Sequence, residues 1–358
     1  MVHVILASAV LIAFLGKKRT RYALSAGFFI LFLFAALRYM YGSDYINYLN
    51  AYNMIQLGID PPFDEELCIF LNRISPSFYL LIAASSAAFV WTVHKLLIRN
   101  VSRKYAWIGL FVFVISPYLF LMNLSAIRQC MAMVMFICAV RQGINRKFLP
   151  FAAWVIFGSM FHKTAIILLP VYFILDQRVF RRRHTLLIMT AIMSILIFVD
   201  VRAISRIAIV AFNEVNFLSY MEKDNGNSLR ATIMTGIFFL YVLFNMEKLE
   251  GKKLVYAKLS LVGYGLGLMA VYLSMFTRLQ MYFDIFSIVT IPSIMETVNS
   301  EGKIRIYLRK PQKTLWRCVN KYALPMLMVV IYFLRYYSFF TTPMWEAFFT
   351  YQTIFSIM

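Results

Sequence analysis

Apolar runs of roughly 15–22 residues recur along the whole chain, each closed by a short basic or polar cluster, which is the pattern of membrane-spanning helices. In lipid every backbone N–H and C=O must bond within its own segment, so such runs are expected as helices. They fall at about 2–16, 22–40, 77–98, 105–122, 126–140, 148–161, 164–176, 185–200, 230–246, 254–275, 278–296 and 320–337, about a dozen in all. The shortest are expected as tilted or irregular segments among their neighbours. Strand-length alternation is absent, which argues against a membrane barrel. The first run has no basic residue ahead of it and ends in Lys17-Lys18-Arg19, the reverse of a cleavable signal peptide. It therefore reads as a retained helix with its N-terminus outside.

Alternate connections, at 17–21, 95–104, 141–147, 178–183, 248–258 and 303–321, hold 26 of the 36 Lys and Arg residues. The positive-inside rule makes them the cytoplasmic side of a bacterial inner membrane, with both termini outside. The largest outward loops are then 41–76, with Pro61-Pro62 and Asp64-Glu65-Glu66, and 201–229, which has the mixed faces of an interfacial helix. With no clear repeat, linker or appended soluble domain, residues 1–358 read as one all-α polytopic membrane domain.

Composition agrees: 61% of the 358 residues are apolar and only 15% charged, more apolar than a soluble core requires. The net charge of +20 lies in short clusters between apolar runs rather than on one basic face, so it reads as topology and not as a nucleic-acid surface. Cys68, Cys130, Cys138 and Cys318 have no CxxC or Cys/His spacing, so neither a zinc site nor a disulfide framework is expected.

The other ten basic residues sit on the outward side or at helix ends, against the topology bias, and each needs its own explanation: Arg38, Arg73, Arg128, Lys163, Arg202, Arg206, Lys223, Arg230, Arg278 and Arg335. Four outward clusters carry candidate chemistry. Arg38 to Tyr48 combines a cation, Gly42 and the Asp44 carboxylate among tyrosines 39, 41, 45 and 48, which serve either sugar stacking or an aromatic belt with an Arg-Asp pair. Arg128, beside Gln129, falls at a helix N-terminus, where a cation is unfavourable unless an anion is bound. That anion is a phosphate-type ligand, or one of Asp64, Glu65 and Glu66. His162-Lys163 occupies a tight outward turn, where an imidazole can exchange a proton or hydrogen-bond a pyrophosphate, or be purely structural. Arg278 starts another helix, with Tyr282 and Asp284 following.

Together these residues resemble the EpsG-like membrane proteins of exopolysaccharide synthesis, grouped with Wzy-type polysaccharide polymerases. The matching pieces, in order, are Arg38 with Gly42-Ser43-Asp44-Tyr45 and Tyr48; an acid at Glu65 or Glu66; Ile127-Arg128-Gln129; Phe161-His162 with Thr164-Ala165 and Pro170; and Arg278 with Tyr282-Phe283. The resemblance implies a GT-C-like glycosyltransferase that joins undecaprenyl-diphosphate-linked repeat units into an O-antigen, capsule or exopolysaccharide at the outer face of the membrane. It also implies a chain-length regulator and a flippase of the same pathway as partners.

From the chemistry of the residues, Asp44 is expected as general base and His162 as its catalytic partner at the diphosphate. Arg128 and Arg278 are expected to hold that diphosphate, Glu65 or Glu66 to orient the acceptor, and Arg38, Gln129, Lys163 and Tyr282 to contact substrate. No dedicated metal-ligand set is visible, and no cofactor is expected. A flippase for the same lipids is the main rival, and a membrane O-acyltransferase using His162 the second. A flippase calls for ionisable residues along the middle of the bundle, where only Asp284 is expected.

Overall fold

A computed structural model describes residues 1–18, 22–179, 229–270, 275–304 and 318–357. The expected helix at 185–200 and, but for Leu229, the loop 201–229 lie outside the described residues. Those described are helical apart from one pair of two-residue strands and the connecting turns. They divide into two compact units: Met1–Asp176 with Ile291–Ser293 and Val329–Met358, and Gln177–Thr290 with Ile294–Met328.

The first unit begins with α1 (Val2–Leu15) and α2 (Tyr22–Ala36), which pack together. The run expected as helix to residue 40 stops at Ala36 and becomes strand β1 (Arg38–Tyr39). The expected outward loop 41–76 contains two helices, α3 (Tyr45–Gln56) and α4 (Glu66–Ile74). Tyr45 and Tyr52 of α3 form a small core with Phe78 and Ile82, at the start of α5 (Phe78–Asn100). The Tyr52 hydroxyl donates to Ser75 O at 2.9 Å and Gln56 Nε2 to Asn72 O at 2.7 Å, closing the two helices on each other. Ser77 caps α5, its hydroxyl accepting from the Leu80 N–H at 3.2 Å.

Proline placement explains where the remaining expected helices divide. α6 (Arg103–Ile115) ends because Ser116 precedes Pro117 and is driven to an extended conformation. The run expected at 105–122 is therefore α6 plus the short α7 (Leu121–Ser125), and Ala126 turns the chain into α8 (Ile127–Ile144). α9 (Phe148–Ser159) packs along α8. Around Pro170 the run at 164–176 is a 3₁₀ turn, Lys163–Leu168, followed by the one-turn α10 (Val171–Ile174).

The second unit contains α11 (Leu229–Asn245), α12 (Gly251–Met269), α13 (Met275–Asp284) and most of α14 (Ser287–Ile304). Asn245 and the π-helical turn Val319–Ala323 are joined by reciprocal amide bonds between Asn245 and Asn320 at 2.9 and 2.6 Å. Lys258, expected in a basic loop, is instead buried in α12, where its Nζ donates to Val179 O at 2.5 Å. The turn leads into α15 (Leu324–Thr341), whose later part from Val329 belongs to the first unit.

Among the described residues, Phe78–Asn100, Ile127–Ile144 and Val319–Thr341 are long and apolar enough to cross a membrane. The helix expected at 278–296 is a bent pair, Phe276–Asp284 and Ser287–Ser300, with a 50° break, and makes a fourth if counted as one span. α1 and α2, of 14 and 15 residues, fall short of the ~20 that cross a bilayer core, so length alone does not reach the dozen spans expected. Leu149 and Phe173 of the first unit and Met326 of the second expose most of their apolar surface, as lipid-facing positions do.

Candidate functional site

Immediately beyond α2, Arg38 is buried, and both terminal nitrogens of its guanidinium donate within the protein. Nη1 donates to Ala35 O and to Ser86 Oγ at 2.8 Å, and Nη2 to Leu124 O at 3.1 Å. The cation thus meets the carbonyl end of α2, where the helix dipole favours positive charge, and ties it to α5 and α7. This corrects the expected substrate contact: at 2% exposure Arg38 is a brace, and it makes no ion pair with Asp44.

The turn after Arg38 is held from two sides. On one, Gly42 has φ +104°, and a Cβ there would come within 3.2 Å of Ser125 Cβ, so the backbone lies flat on the end of α7. The Asp44 N–H donates to Ser125 Oγ at 3.0 Å. On the other, β1 pairs antiparallel with β2 (Gln352–Thr353), the Gly42 N–H donates to Ala347 O at 3.1 Å, and the Ile354 N–H donates to Leu37 O at 3.0 Å. The Tyr351 ring stacks on Phe34 at 4.3 Å, and its hydroxyl donates to Phe34 O at 2.8 Å.

Tyr41 is enclosed by Phe34, Phe348 and Tyr351, and Tyr45 by Tyr39 and Phe78, so tyrosines 41 and 45 are core and not sugar platforms. Tyr39 and Tyr48 remain half-exposed. Asp44 is the N-cap residue of α3, but its carboxylate makes no capping bond and is half-buried at the end of the turn.

Three residues beyond Ser125, Arg128 occupies the first turn of α8. Its Nη1 meets Glu65 Oε2 at 2.5 Å, and its guanidinium lies over the Phe63 ring at 4.5 Å and the Tyr48 ring at 6.0 Å. The anion that offsets a cation at this helix N-terminus is therefore Glu65, one of the alternatives left by the sequence. Glu65 is the N-cap residue of α4, yet its carboxylate turns away from its own helix toward Arg128. Its other oxygen, Oε1, stands 3.5 Å from His162 Nδ1, within ion-pair range but outside hydrogen-bond geometry. Burial pushes the Glu65 carboxyl up, but His162 and Arg128 outweigh it and hold the group below the usual carboxylate range. Arg128 Nε and His162 Nδ1 are both buried without a hydrogen-bond partner, so the guanidinium keeps one donor unspent beside the carboxylate.

Lys163 and Asp64, both exposed, form an ion pair at the rim. Glu66 is exposed and outside this cluster, so of these two neighbouring acids it is Glu65 that meets Arg128. Gln129, expected at the substrate, is buried in α8. The structure therefore joins Asp44, Glu65, Arg128 and His162, bridged by Tyr48 one turn along α3 from Asp44, and adds Phe63 and Ser125, which sequence reasoning missed.

In the second unit Arg278 is exposed in the first turn of α13, whereas Tyr282 is fully buried, which corrects its expected substrate contact. Asp284 Oδ2 accepts from Gln280 Nε2 at 2.7 Å. A Cβ at Gly263 would lie 2.7 Å from Asp284 Oδ1, so that acid is packed directly against α12. Among the described residues no three His, Cys, Asp or Glu side chains converge as metal ligands.

The family model of the EpsG family matches residues 21–353. No curated protein and no solved structure matches the chain.

Proposed function

The chain belongs to the EpsG family of Wzy-like polymerases, a family of membrane proteins with a polysaccharide-polymerase role, and from that premise we propose that it polymerises polyprenyl-diphosphate-linked oligosaccharide repeat units. In this reading the transfer takes place at the outer face of a bacterial inner membrane, with both termini on that side and the bundle serving as a GT-C-like scaffold. Undecaprenyl diphosphate is the carrier, and the product is an O-antigen, capsule or exopolysaccharide. A flippase that delivers the lipid-linked units and a chain-length regulator are the partners.

The observation that carries this reading is the Glu65-Arg128-His162 cluster beside Asp44. It combines a half-buried cation that keeps an unspent N–H donor and an imidazole with the Asp44 carboxylate, which in this reading takes a proton. A terminal hydroxyl of one lipid-linked unit attacks the anomeric carbon of a chain held on its diphosphate lipid. The new C–O bond forms as the sugar–phosphate bond breaks, Asp44 takes the hydroxyl proton, and the lipid diphosphate leaves with inversion. Arg128 and His162 stabilise the leaving diphosphate, while Glu65 keeps both oriented and limits the cost of burying Arg128. Arg278 is proposed separately, as an exposed cation of the second unit suited to phosphate.

A flippase for the same lipids is favoured by one observation, the 50° break that follows Asp284, since broken helices line the sites of transporters. Purified protein in liposomes, supplied with lipid-linked oligosaccharide, separates the two. A ladder of longer lipid-linked chains supports polymerisation, and translocation of unlengthened substrate overturns it.

A further inference from the structure

Helix α3 carries Asn47, Asn50 and Asn53 at intervals of three, on the inclined ridge that starts at Asp44 and winds away from it around the helix. Residues three apart are neighbours on a helix surface, and from Asp44 to Asn53 the row rises about 13 Å. All three asparagines are exposed and have no side-chain partner among the described residues. The whole helix, Tyr45–Gln56, contains no Lys, Arg, Asp or Glu. A face needed only for solubility is ordinarily built from Lys, Glu, Arg or Gln, which favour the helix, whereas Asn within a helix is among the weaker formers. Three such residues on one exposed row call for a ligand.

We propose that the Asn47-Asn50-Asn53 row is a carbohydrate-binding subsite that holds an uncharged stretch of the oligosaccharide leading to or from Asp44. Each carboxamide supplies two donors and an acceptor, matching sugar hydroxyls that both donate and accept. The absence of charge on the helix selects neutral hydroxyls over phosphate, leaving diphosphate recognition to Arg128. Tyr48, half-exposed one turn beyond Asp44 and under the Arg128 guanidinium, adds an aromatic face at the end nearest the cluster. The assignment rests on the polymerase reading for its substrate, and it explains why a polymerase would engage several sugars rather than only the reacting one.

The test is direct titration of the full-length protein in nanodiscs. The probes are oligosaccharides of one, two and three repeat units, released from the polymer of the producing cell. Wild-type affinity is expected to rise with the number of units. In the variant Asn47→Ala/Asn50→Ala/Asn53→Ala that gain is lost, with binding of the longest probe about tenfold or more weaker. Alanine favours the helix at exposed positions, so the variant keeps its fold, and its melting midpoint checks this. Ile46→Ala, on the same exposed face, binds as the wild type does. Equal affinities of wild type and triple variant at every length overturn the subsite. The same wild-type preparation is assayed for chain extension. Extension with unchanged variant binding refutes the subsite alone, and binding lost in the variant without wild-type extension refutes the polymerase reading alone.

Discussion

The Glu65-Arg128 pair gives the most quantitative test. Its partners are unequally buried: the Glu65 side chain is 6% exposed and that of Arg128 26%. Exposed ion pairs contribute about 0–1 kcal/mol, and breaking a fully buried pair costs about 3–5 kcal/mol. With one partner buried and the other a quarter exposed, about 1.5–3 kcal/mol is expected, the range of a hydrogen bond to a charged group. The two single variants should differ. Glu65→Gln leaves Arg128 able to turn toward water and costs roughly 1–2 kcal/mol, while Arg128→Gln strands a buried carboxylate and costs roughly 2–3 kcal/mol. The double variant should be no worse than Arg128→Gln, a coupling of about 1.5 kcal/mol.

Heating in detergent with a thiol-reactive dye reads this out in a Cys138→Ser/Cys318→Ser background, because Cys68 and Cys130 are buried until the fold opens and the other two cysteines are not. At about 2–4 °C per kcal/mol the midpoints should fall by roughly 2–12 °C. The pair also predicts a pH dependence. The folded-state proton affinity of Glu65 is depressed, so its stabilisation is complete above the ordinary carboxylate value and is lost as pH falls through the lower folded one. Glu65→Gln should flatten that acid limb. Additive losses in the double variant, or an unchanged acid limb in Glu65→Gln, would refute the site geometry.

Asp44→Asn should bind lipid-linked substrate and make no polymer, while His162→Gln keeps some turnover; in vitro extension showing the reverse makes His162 the base. Gly42→Ala forces a Cβ to within 3.2 Å of Ser125 at a positive φ, so it should lower activity more than stability, measured as kcat against melting midpoint. Arg38→Met leaves acceptors on Ala35, Ser86 and Leu124 unpaired and should destabilise by about 2–4 kcal/mol. Arg38→Lys should recover only part of this, since an ammonium lacks the fork that spans three elements. A midpoint like wild type in Arg38→Met would return Arg38 to the substrate. Tags at the N-terminus and in 41–76 should both report outside, and a cytoplasmic N-terminus would reverse the assigned face.

The apolar runs made the helical membrane character legible, because backbone satisfaction in lipid leaves few alternatives to helix. Where they misled, a local cause is visible. Pro117 and Pro170 divided runs whose hydropathy is continuous; α3 was missed because its buried face is built on Tyr45 and Tyr52, and α4 because it is only nine residues long and buries Cys68 and Asn72. The outward cations were legible as exceptions to a topology rule, but their partners were not. Nothing in local spacing distinguishes Glu65 from Glu66, one buried against Arg128 and the other in water. Arg38 and Arg128 look equally exceptional in the sequence, and only tertiary packing makes one a brace and the other the partner of Glu65. The grip of Ala347, Tyr351 and Ile354 on the Asp44 turn leaves no sequence signal, since it depends on contacts across nearly the whole chain.

That grip has a consequence for biosynthesis. Tyr351 follows Phe34, whose carbonyl it holds, by 317 residues. At roughly 5–20 residues per second, the ribosome needs about 15–60 s after making the Asp44 turn to supply the segment that locks it. Until then Gly42 and Asp44 have Ser125, the Arg38 brace and the Tyr45 core but not the β2 side, so a half-made chain lacks the contacts of Ala347, Tyr351 and Ile354 that close the turn.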